Sequence, residues 1–525
     1  MLLKSPVFLA SLVWLSPSLG LGQTASGPFV LKADDFRHYV ETFNRNDDEA
    51  YREVEYIKND QSWEFLKGEV PLLDCPDKDI EEIYYFRWWT YRKHIKKTPE
   101  GFVVTEFLPD VPWAGKDNAI SCAAGFHIEE GRWLRDPGYI SDYLAFWLRK
   151  GGDLRGYSFW IAYATWENSL VTGDPLLARS LLPNLVANYG HWEKDHRDPN
   201  GLYWQADDRD GMEMSIGGSG YRETINSYMY GDAVAISRLA ASAGDTGLES
   251  VFREKASLIK KNVQDRLWDK DAKFFKVSPR GSETRLVRVR EEQGFAPWYF
   301  NLPDPGYEVA WKQAMDAGGF RAPFGLTTAE QRDPHFALRT DGHECQWNGP
   351  SWPFATSTTL IAMANVLDDY RQSFVTKGDY LSLLGTYTRA QHLKGADGAE
   401  VPWIDEDLNP YTGQWIARTL LLQRNEKPAQ RGKDYNHSKY ADLIITGLVG
   451  LRPRADDVVE ISPLLPDHAW DYFCLDNIAY HGRILTIVYD RTGLHYGRGT
   501  GLQVLCNGRA IAHSTSLSHL TATLP

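Results

Sequence analysis

The stretch that decides the fold reads SFWIAYATWENSLVT (Ser158–Thr172), then Gly173-Asp174, then PLLARSLLPNLVANYGHWEKD (Pro175–Asp195). Apolar residues recur at helical spacing on both sides of a two-residue break. Glycine stops a helix readily, and proline is tolerated in a first helical turn. The unit is therefore a helical hairpin. Outward from it, similar amphipathic runs cover Asp34–Asn44, Lys78–His94, Pro137–Lys150, Thr224–Ala243 and Leu248–Leu267. They continue at Gly306–Ala317, Ser351–Leu367, Lys377–His392, Gly413–Leu422 and Ser438–Gly450.

Helix follows helix with no long strand between, which argues against a βαβ architecture. Paired helices close into a toroid or stack as a solenoid, and the lack of a fixed 33- to 47-residue period disfavours a solenoid. The pattern changes after Leu451-Arg452-Pro453. Short β-type runs follow at Val458–Ile461, Tyr472–Tyr480, Arg483–Tyr489 and Gly501–Cys506, separated by turn residues such as Asn507-Gly508. The expected fold is mainly α: an (α/α)6 toroid over residues 23–454 with a small β-sandwich-like domain over 455–525.

Residues 1–22 read as an export signal. Lys4 is the positive flank, Val7 to Leu15 the apolar stretch, and Gly20-Leu21-Gly22 a small-residue cleavage site. The expected location is thus extracellular. The five cysteines, Cys75, Cys122, Cys345, Cys474 and Cys506, are scattered and lack a zinc-site spacing. Only Cys474 and Cys506 share the β-rich tail, and no pairing is assigned. Asn436-His437-Ser438 matches a glycosylation sequon.

A net charge of −13, from 57 basic and 70 acidic residues, argues against nucleic acid or an anionic membrane as partner. Aromatic residues make up 13% of the chain, which suits sugar stacking as well as a large core. Other chemistries find no support. Gly217-Gly218-Ser219-Gly220-Tyr221 lacks the last glycine of a nucleophile elbow, and His343-Glu344-Cys345 is not a zinc-protease motif. No cofactor and no metal are expected.

Hydrolysing a glycoside with inversion needs a carboxylic acid to protonate the leaving oxygen and a carboxylate to activate water on the opposite face. Three loops offer such groups. The first runs Asp207-Asp208-Arg209-Asp210-Gly211-Met212-Glu213-Met214-Ser215, then through a glycine-rich loop to Arg222 and a helix carrying Asn226. On its own it reads equally as a solvated acidic loop. The second, Trp403-Ile404-Asp405-Glu406-Asp407-Leu408-Asn409-Pro410-Tyr411-Thr412-Gly413, sets three acids side by side, where mutual repulsion raises a pKa. The third, Gln346-Trp347-Asn348-Gly349-Pro350-Ser351-Trp352-Pro353, offers rings to stack and amides to bond hydroxyls, or simply a packed loop-to-helix junction.

The run Trp347 to Pro353, followed by Glu406-Asp407-Leu408-Asn409-Pro410-x-Thr412-Gly413, resembles glycoside hydrolase family 63 and its mannosylglycerate hydrolase-like and trehalase-like relatives. The end of the helical part and the tail are similar to α-L-rhamnosidases. The resemblance implies an inverting exo-α-glycosidase on an (α/α)6 barrel, acting on an α-glucoside or α-mannoside type of sugar, with Glu406 as general base. It puts Glu213 in the place of the general acid, within Gly211-Met212-Glu213-Met214-Ser215. That run departs from the family's Gly-[Leu/Met]-Asp-Asn-Ser at two positions, so Asp210 and Glu223 stay as alternatives. Trp347, Trp352, Arg222, Asn226, Gln346, Trp113 and Trp403 are the expected sugar contacts, with Lys116, Asp117 and Asn118 beside Trp113. His127, His343 and His437 are further candidates for the cleft or for structural hydrogen bonds. Two readings from other classes stand beside the hydrolase: a polysaccharide lyase on a helical toroid, and a carbohydrate-binding protein without catalysis.

Overall fold

The computed structural model describes residues 29–281, 285–339, 341–395 and 398–525. The expected leader, residues 1–22, lies outside them. The helices are α1 (Arg37–Asn46), α2 (Ser62–Glu69), α3 (Lys78–His94), α4 (Ala124–Gly131), α5 (Gly138–Arg149), α6 (Ile161–Thr172) and α7 (Leu176–His196). They continue as α8 (Glu223–Ser242), α9 (Thr246–Arg266), α10 (Ala296–Tyr299), α11 (Pro353–Asp369), α12 (Lys377–Ala390) and α13 (Ile416–Arg424).

Local chemistry sets several of their ends. Asp77 caps α3 by accepting from the Ile80 amide at 3.1 Å, and Asp245 caps α9 through the Leu248 amide at 2.9 Å. Thr376 and Asp379 form a reciprocal capping box on α12. Gly173 ends α6 at φ +68° and completes the hairpin read from the sequence. A Cβ there would also lie 2.7 Å from the His481 ring, so this turn is where the β-rich part packs against the helices.

The helices alternate between two layers. The inner segments α4, α6, α8, α10 and α11, with the π-helical turn Leu443–Leu448, contact one another in that order. Every residue of α4 and α10 is buried, including His127, Glu129 and Glu130 of α4, which find polar partners inside the ring. Outer α9 buries only Phe252, Ala256, Ile259 and Val263, a single stripe. The outer elements are α3, α5, α7, α9, the 3-10 helix Glu308–Gln313 and α12, giving six hairpins in chain order. Helix α3 is outer yet buried almost throughout, because α1 and α2 pack over it.

The ring closes between its first and last inner segments. The Glu130 carboxylate on α4 accepts the amides of Tyr440 (3.2 Å), Ala441 (2.9 Å) and Asp442 (2.9 Å). Asp442 in turn accepts from Trp133 Nε1 at 2.7 Å and Arg132 at 2.9 Å, and lies 2.7 Å from Lys439 Nζ. Burial alone would raise the Asp442 carboxyl, but Lys439 and Arg132 outweigh it and hold the group well below the usual range. Phe126, Trp160, Tyr299 and Phe354 fill the centre, with Phe126 to Trp160 at 5.0 Å and Phe126 to Phe354 at 4.9 Å. The toroid is packed shut beneath its open end.

Two expected helices take other forms. Gly306–Ala317 contains only the short 3-10 helix Glu308–Gln313, and Ser438–Gly450 contains the π-helical turn. Helices α2, α4 and α10 went unread. Two glycines in α4 and Pro297 in α10 weaken the local helical signal, and burial against neighbours supplies what propensity lacks.

The tail forms a five-stranded antiparallel sheet in the order Leu72–Asp74, Tyr472–Tyr480, Arg483–Asp490, Gly501–Cys506, Arg509–Ser514. A three-stranded sheet sets Val458–Ile461 between Leu451–Arg452 and Leu520–Thr523. The larger sheet draws its edge strand from the N-terminal region, pairing Leu73 with Leu475. All five cysteines are free, and Cys474 and Cys506 lie on strands separated by Arg483–Asp490. Asn436 is buried with its amide donating to the Thr105 carbonyl, a poor acceptor for a glycan. No described helix is long and apolar enough to cross a membrane.

Glu130→Ala would leave three buried amides without acceptors where the ring closes. We predict a loss of about 3 kcal/mol or more in urea unfolding; a loss below about 1 kcal/mol would remove Glu130 from the closure.

Candidate active site

The loops that lead into the inner helices converge at one end of the toroid, around a cleft of about 270 Å3. Glu106, Phe107, Trp113 and Cys122 come from the segment before α4, Tyr157 from that before α6, and Asp208, Arg209 and Glu213 from that before α8. His343, Glu344, Cys345 and Trp352 precede α11, while Glu406, Arg431, Tyr435 and His437 precede the closing π turn.

The three loops singled out in the sequence are bolted together by backbone pairs. The Trp347 amide donates to the Glu213 carbonyl at 3.0 Å, and Ser351 and Leu408 exchange amide–carbonyl bonds at 2.9 and 3.0 Å. Gly211, before Glu213, has φ +71°, and a Cβ there would sit 2.5 Å from Cys122 Sγ. In the second loop Asn409 Oδ1 accepts from the Tyr411 and Thr412 amides, and Gly413 turns at φ +74°. This tight turn lets Asp407 cap α13 through the Ala417 amide at 2.9 Å. Asp405 accepts from the Glu406 amide and from Trp403 Nε1. Of the three consecutive acids, Glu406 is the one that lines the cleft.

The two cleft carboxyls read from the sequence have contrasting surroundings. Glu406 is 1% exposed; its Oε1 accepts from Arg431 Nε at 3.0 Å and its Oε2 from Cys345 Sγ at 3.2 Å. Arg431 also donates to Glu344 at 2.9 Å and lies 5.0 Å from the centre of the Trp113 ring. Among the described residues Glu213 has no ion-pair partner. Burial, helped by the nearby Glu406 and Asp208 charges and opposed by its own backbone amide and His343, pushes its carboxyl up to about 7.

Other residues complete the cleft: His343 and His437, named as candidates from the sequence, and several that the sequence did not reveal. Glu106 is 4% exposed, accepts from Tyr435 Oη at 2.8 Å, and is pushed up to about 8, first by burial and then by Glu406 and Glu213. His437 is driven down to about 3 by burial and by His127, so its imidazole is neutral. Arg431, Tyr435, Cys345, Glu344 and Tyr157 were also missed, since nothing near them in sequence marks them. Lys433 reaches Asp47 and Asp48, and Lys93 lies 2.7 Å from Asp47 and 2.8 Å from Asp434. The extension carrying α1 thereby braces the loop that bears Arg431 and Tyr435.

Several expected site residues lie elsewhere. Among them Glu213, Glu406, Trp113 and Trp352 line the cleft, whereas Asp210, Arg222, Asn226, Gln346, Trp347 and Trp403 do not. Asp210 is buried, accepting from Arg222 Nε at 2.7 Å and from Thr224. Arg222 also bonds Ser215 and the Gly218 carbonyl, so it organises the glycine-rich loop rather than a sugar. Asn226 is occupied by both backbone groups of Tyr203. Gln346 exchanges bonds with the Arg339 backbone, and Trp347 stacks on Trp352 at 4.8 Å from behind. Trp403 packs under Arg418 in a separate hollow with Lys433. Glu223 is buried with both oxygens unpartnered and is pushed up to about 8 by burial, away from the cleft. His127 donates or accepts only within the core, against Tyr143 and the Asn436 carbonyl. Lys116 pairs with Glu100 at the surface, while Asn118 binds the Val111 amide and the Phe107 and Pro109 carbonyls. Among the described residues no group of three or more His, Cys, Asp or Glu is placed to hold a metal ion.

Comparison with known proteins agrees with this architecture. The model of the mannosylglycerate hydrolase MGH1-like glycoside hydrolase domain matches residues 116–438, and that of the glycosyl hydrolase family 65 C-terminal domain matches 451–513. A solved structure named sialidase is 43% identical with a TM-score of 0.87, covering 94% of this chain but only 45% of that one. This chain thus spans less than half of that relative's length. The GH63 mannosylglycerate hydrolase from Thermus thermophilus, in complex with glucose, shares the fold at 13% identity and TM-score 0.50, covering 69% of this chain and 98% of that one. The GH78 family rhamnosidase of Bacillus sp. GL1 does so at 12% identity and TM-score 0.50, over 80% and 40% of the two chains. With the family model covering well over half of its residues, the chain belongs to the mannosylglycerate hydrolase MGH1-like glycoside hydrolase family.

Proposed function

We propose that this protein hydrolyses a terminal, uncharged α-linked sugar with inversion, Glu213 serving as general acid and Glu406 as general base. The observation that carries the reading is the contrast between two carboxyls in one cleft. Burial pushes the Glu213 carboxyl up to about 7, the direction a general acid requires. Glu406 is ion-paired with Arg431 at 3.0 Å, which holds its carboxyl in place to meet a water molecule. Arg431 also pairs with Glu344 at 2.9 Å, so the guanidinium is fixed from both sides.

In the reaction the Glu213 proton passes to the glycosidic oxygen as the bond from that oxygen to the anomeric carbon breaks. Water attacks the anomeric carbon from the opposite face while Glu406 accepts one of its protons, giving the inverted sugar. Trp352 walls the cleft and Trp113, 42% exposed at its mouth, offers a ring face to the leaving part.

Exo action in this proposal rests on the resemblance to glycoside hydrolase family 63. The charge of the cleft favours a neutral sugar. Five acids (Glu106, Asp208, Glu213, Glu344 and Glu406) face two arginines, Arg209 and Arg431, across the cleft. Arg431 is already held in two ion pairs. Among the described cleft residues the other cation is Arg209, an exposed side chain 3.9 Å from Asp208; this balance of charge weighs against uronate cleavage by a lyase and against a sialoside. The retained pair of carboxyls weighs against binding without turnover. Export from the cell is part of the proposal and rests on the pattern of Lys4 and Val7 to Leu15.

Glu406→Gln and Glu213→Gln should each lower kcat by about 10²- to 10⁴-fold on a cleaved aryl α-glycoside; turnover within a few-fold of wild type would sink the assignment. Asp210→Asn separates the two candidate acids. It breaks a buried ion pair, with an expected loss of about 3–5 kcal/mol in unfolding, while the folded fraction keeps its kcat. Because the acid must be protonated, kcat/KM should fall as pH rises through about 7, and that limb should vanish in Glu213→Gln.

A further inference from the structure

The cleft holds a third carboxyl that neither catalytic step uses. Glu106 follows the hairpin formed by Ile95–Thr98 and Gly101–Val104. Its backbone carbonyl accepts from the Asn436 amide at 3.1 Å, pinning it to the loop that closes the ring. Oε1 accepts from Tyr435 Oη at 2.8 Å and has His437 Nε2 at 3.7 Å. Oε2 is buried and has no hydrogen-bond partner. A buried carboxyl oxygen left unpaired is destabilising; of the residues with such an oxygen, Glu106 is set apart by lining the cleft, whereas Glu223 and Glu292 do not line it. The residue lines the same cleft as Glu213 and Glu406, beside Tyr435 and His437.

We propose that Glu106 determines sugar specificity from the floor of the cleft, its Oε2 pairing with one hydroxyl of the terminal sugar. This rests on the hydrolase reading above. The neutral carboxyl form, with one donor and remaining acceptor sites, matches a hydroxyl group, which both donates and accepts. Tyr435 fixes the rotation of the carboxyl, so the position of the favoured hydroxyl on the ring is fixed as well. A site built to pair a hydroxyl rejects a sugar that lacks it, because the buried protein group is then left unpaired.

The test uses the full chain and three probes: the 4-nitrophenyl glycosides of α-D-glucose, α-D-mannose and α-L-rhamnose. Monodeoxy analogues of the best substrate follow, with the corresponding methyl glycosides titrated by calorimetry. Glu106→Ala should lower kcat/KM by about 10- to 100-fold. One deoxy position should cost wild type a similar factor and cost Glu106→Ala nothing, the signature of a single coupled pair. Equal discrimination at every position by variant and wild type would overturn the proposal. Should Glu106→Ala fail to fold, Glu106→Gln decides. It keeps an acceptor for Tyr435 but sets an amide in place of Oε2, so the penalty at that one position should change; an unchanged penalty overturns the proposal. Calorimetry separates the two levels. Sugar binding without turnover removes the hydrolase reading and leaves Glu106 to be judged on the binding cycle; no binding of any probe removes both.

Discussion

The closure of the inner ring is the constraint on which everything else depends. Six inner segments can enclose a common core only if the last one, near residue 440, meets the first, α4. They meet through charge: Glu130 takes three amides of the returning chain, and Asp442 joins Arg132, Trp133 and Lys439. Lys439 also reaches Glu129, which accepts from Trp160 and Tyr299 in the middle of the ring. A buried ion cluster adds little net stability against an apolar one of the same volume, but breaking it leaves uncompensated charge. Its effect here is on register. It fixes where the segment carrying Arg431, Tyr435 and His437 enters the ring, and so fixes the far wall of the cleft.

From that geometry the chemistry of the cleft follows. The inner helices all start at the same end, so the loops that feed them must share a small space. Carboxyls brought there lose water, and whether each keeps its proton depends on what it faces. Glu213 and Glu106 face other acids and apolar walls and are pushed up; Glu406 faces Arg431. One fold end thus holds two carboxyls raised by burial and one set in an ion pair.

How much of this was legible in the sequence can be argued residue by residue. The hairpin at Ser158–Asp195 is readable because Gly173 and Pro175 are local punctuation, and helical period survives on both sides. The Asn409-Pro410-Tyr411-Thr412-Gly413 turn is readable for the same reason, and it carries Glu406 into the cleft. Glu106 was not readable. It sits alone between Thr105 and Phe107, and its surroundings come from Tyr435 and Asn436, more than 300 residues away. Asp210 misled because an acid in a loop shows no sign that Arg222, 12 residues on, will bury it. In the Trp347 loop Trp352 lines the cleft, while Trp347 and Gln346 hold the loop together as a packed junction.

The central claim is that two opposed carboxyls in this cleft cleave an α-glycoside in a single displacement. Its most direct test is proton NMR of the first minutes of hydrolysis, before the released sugar mutarotates. Direct displacement predicts that the first sugar signal is the β anomer. Initial release of the α anomer would contradict it and require a covalent intermediate.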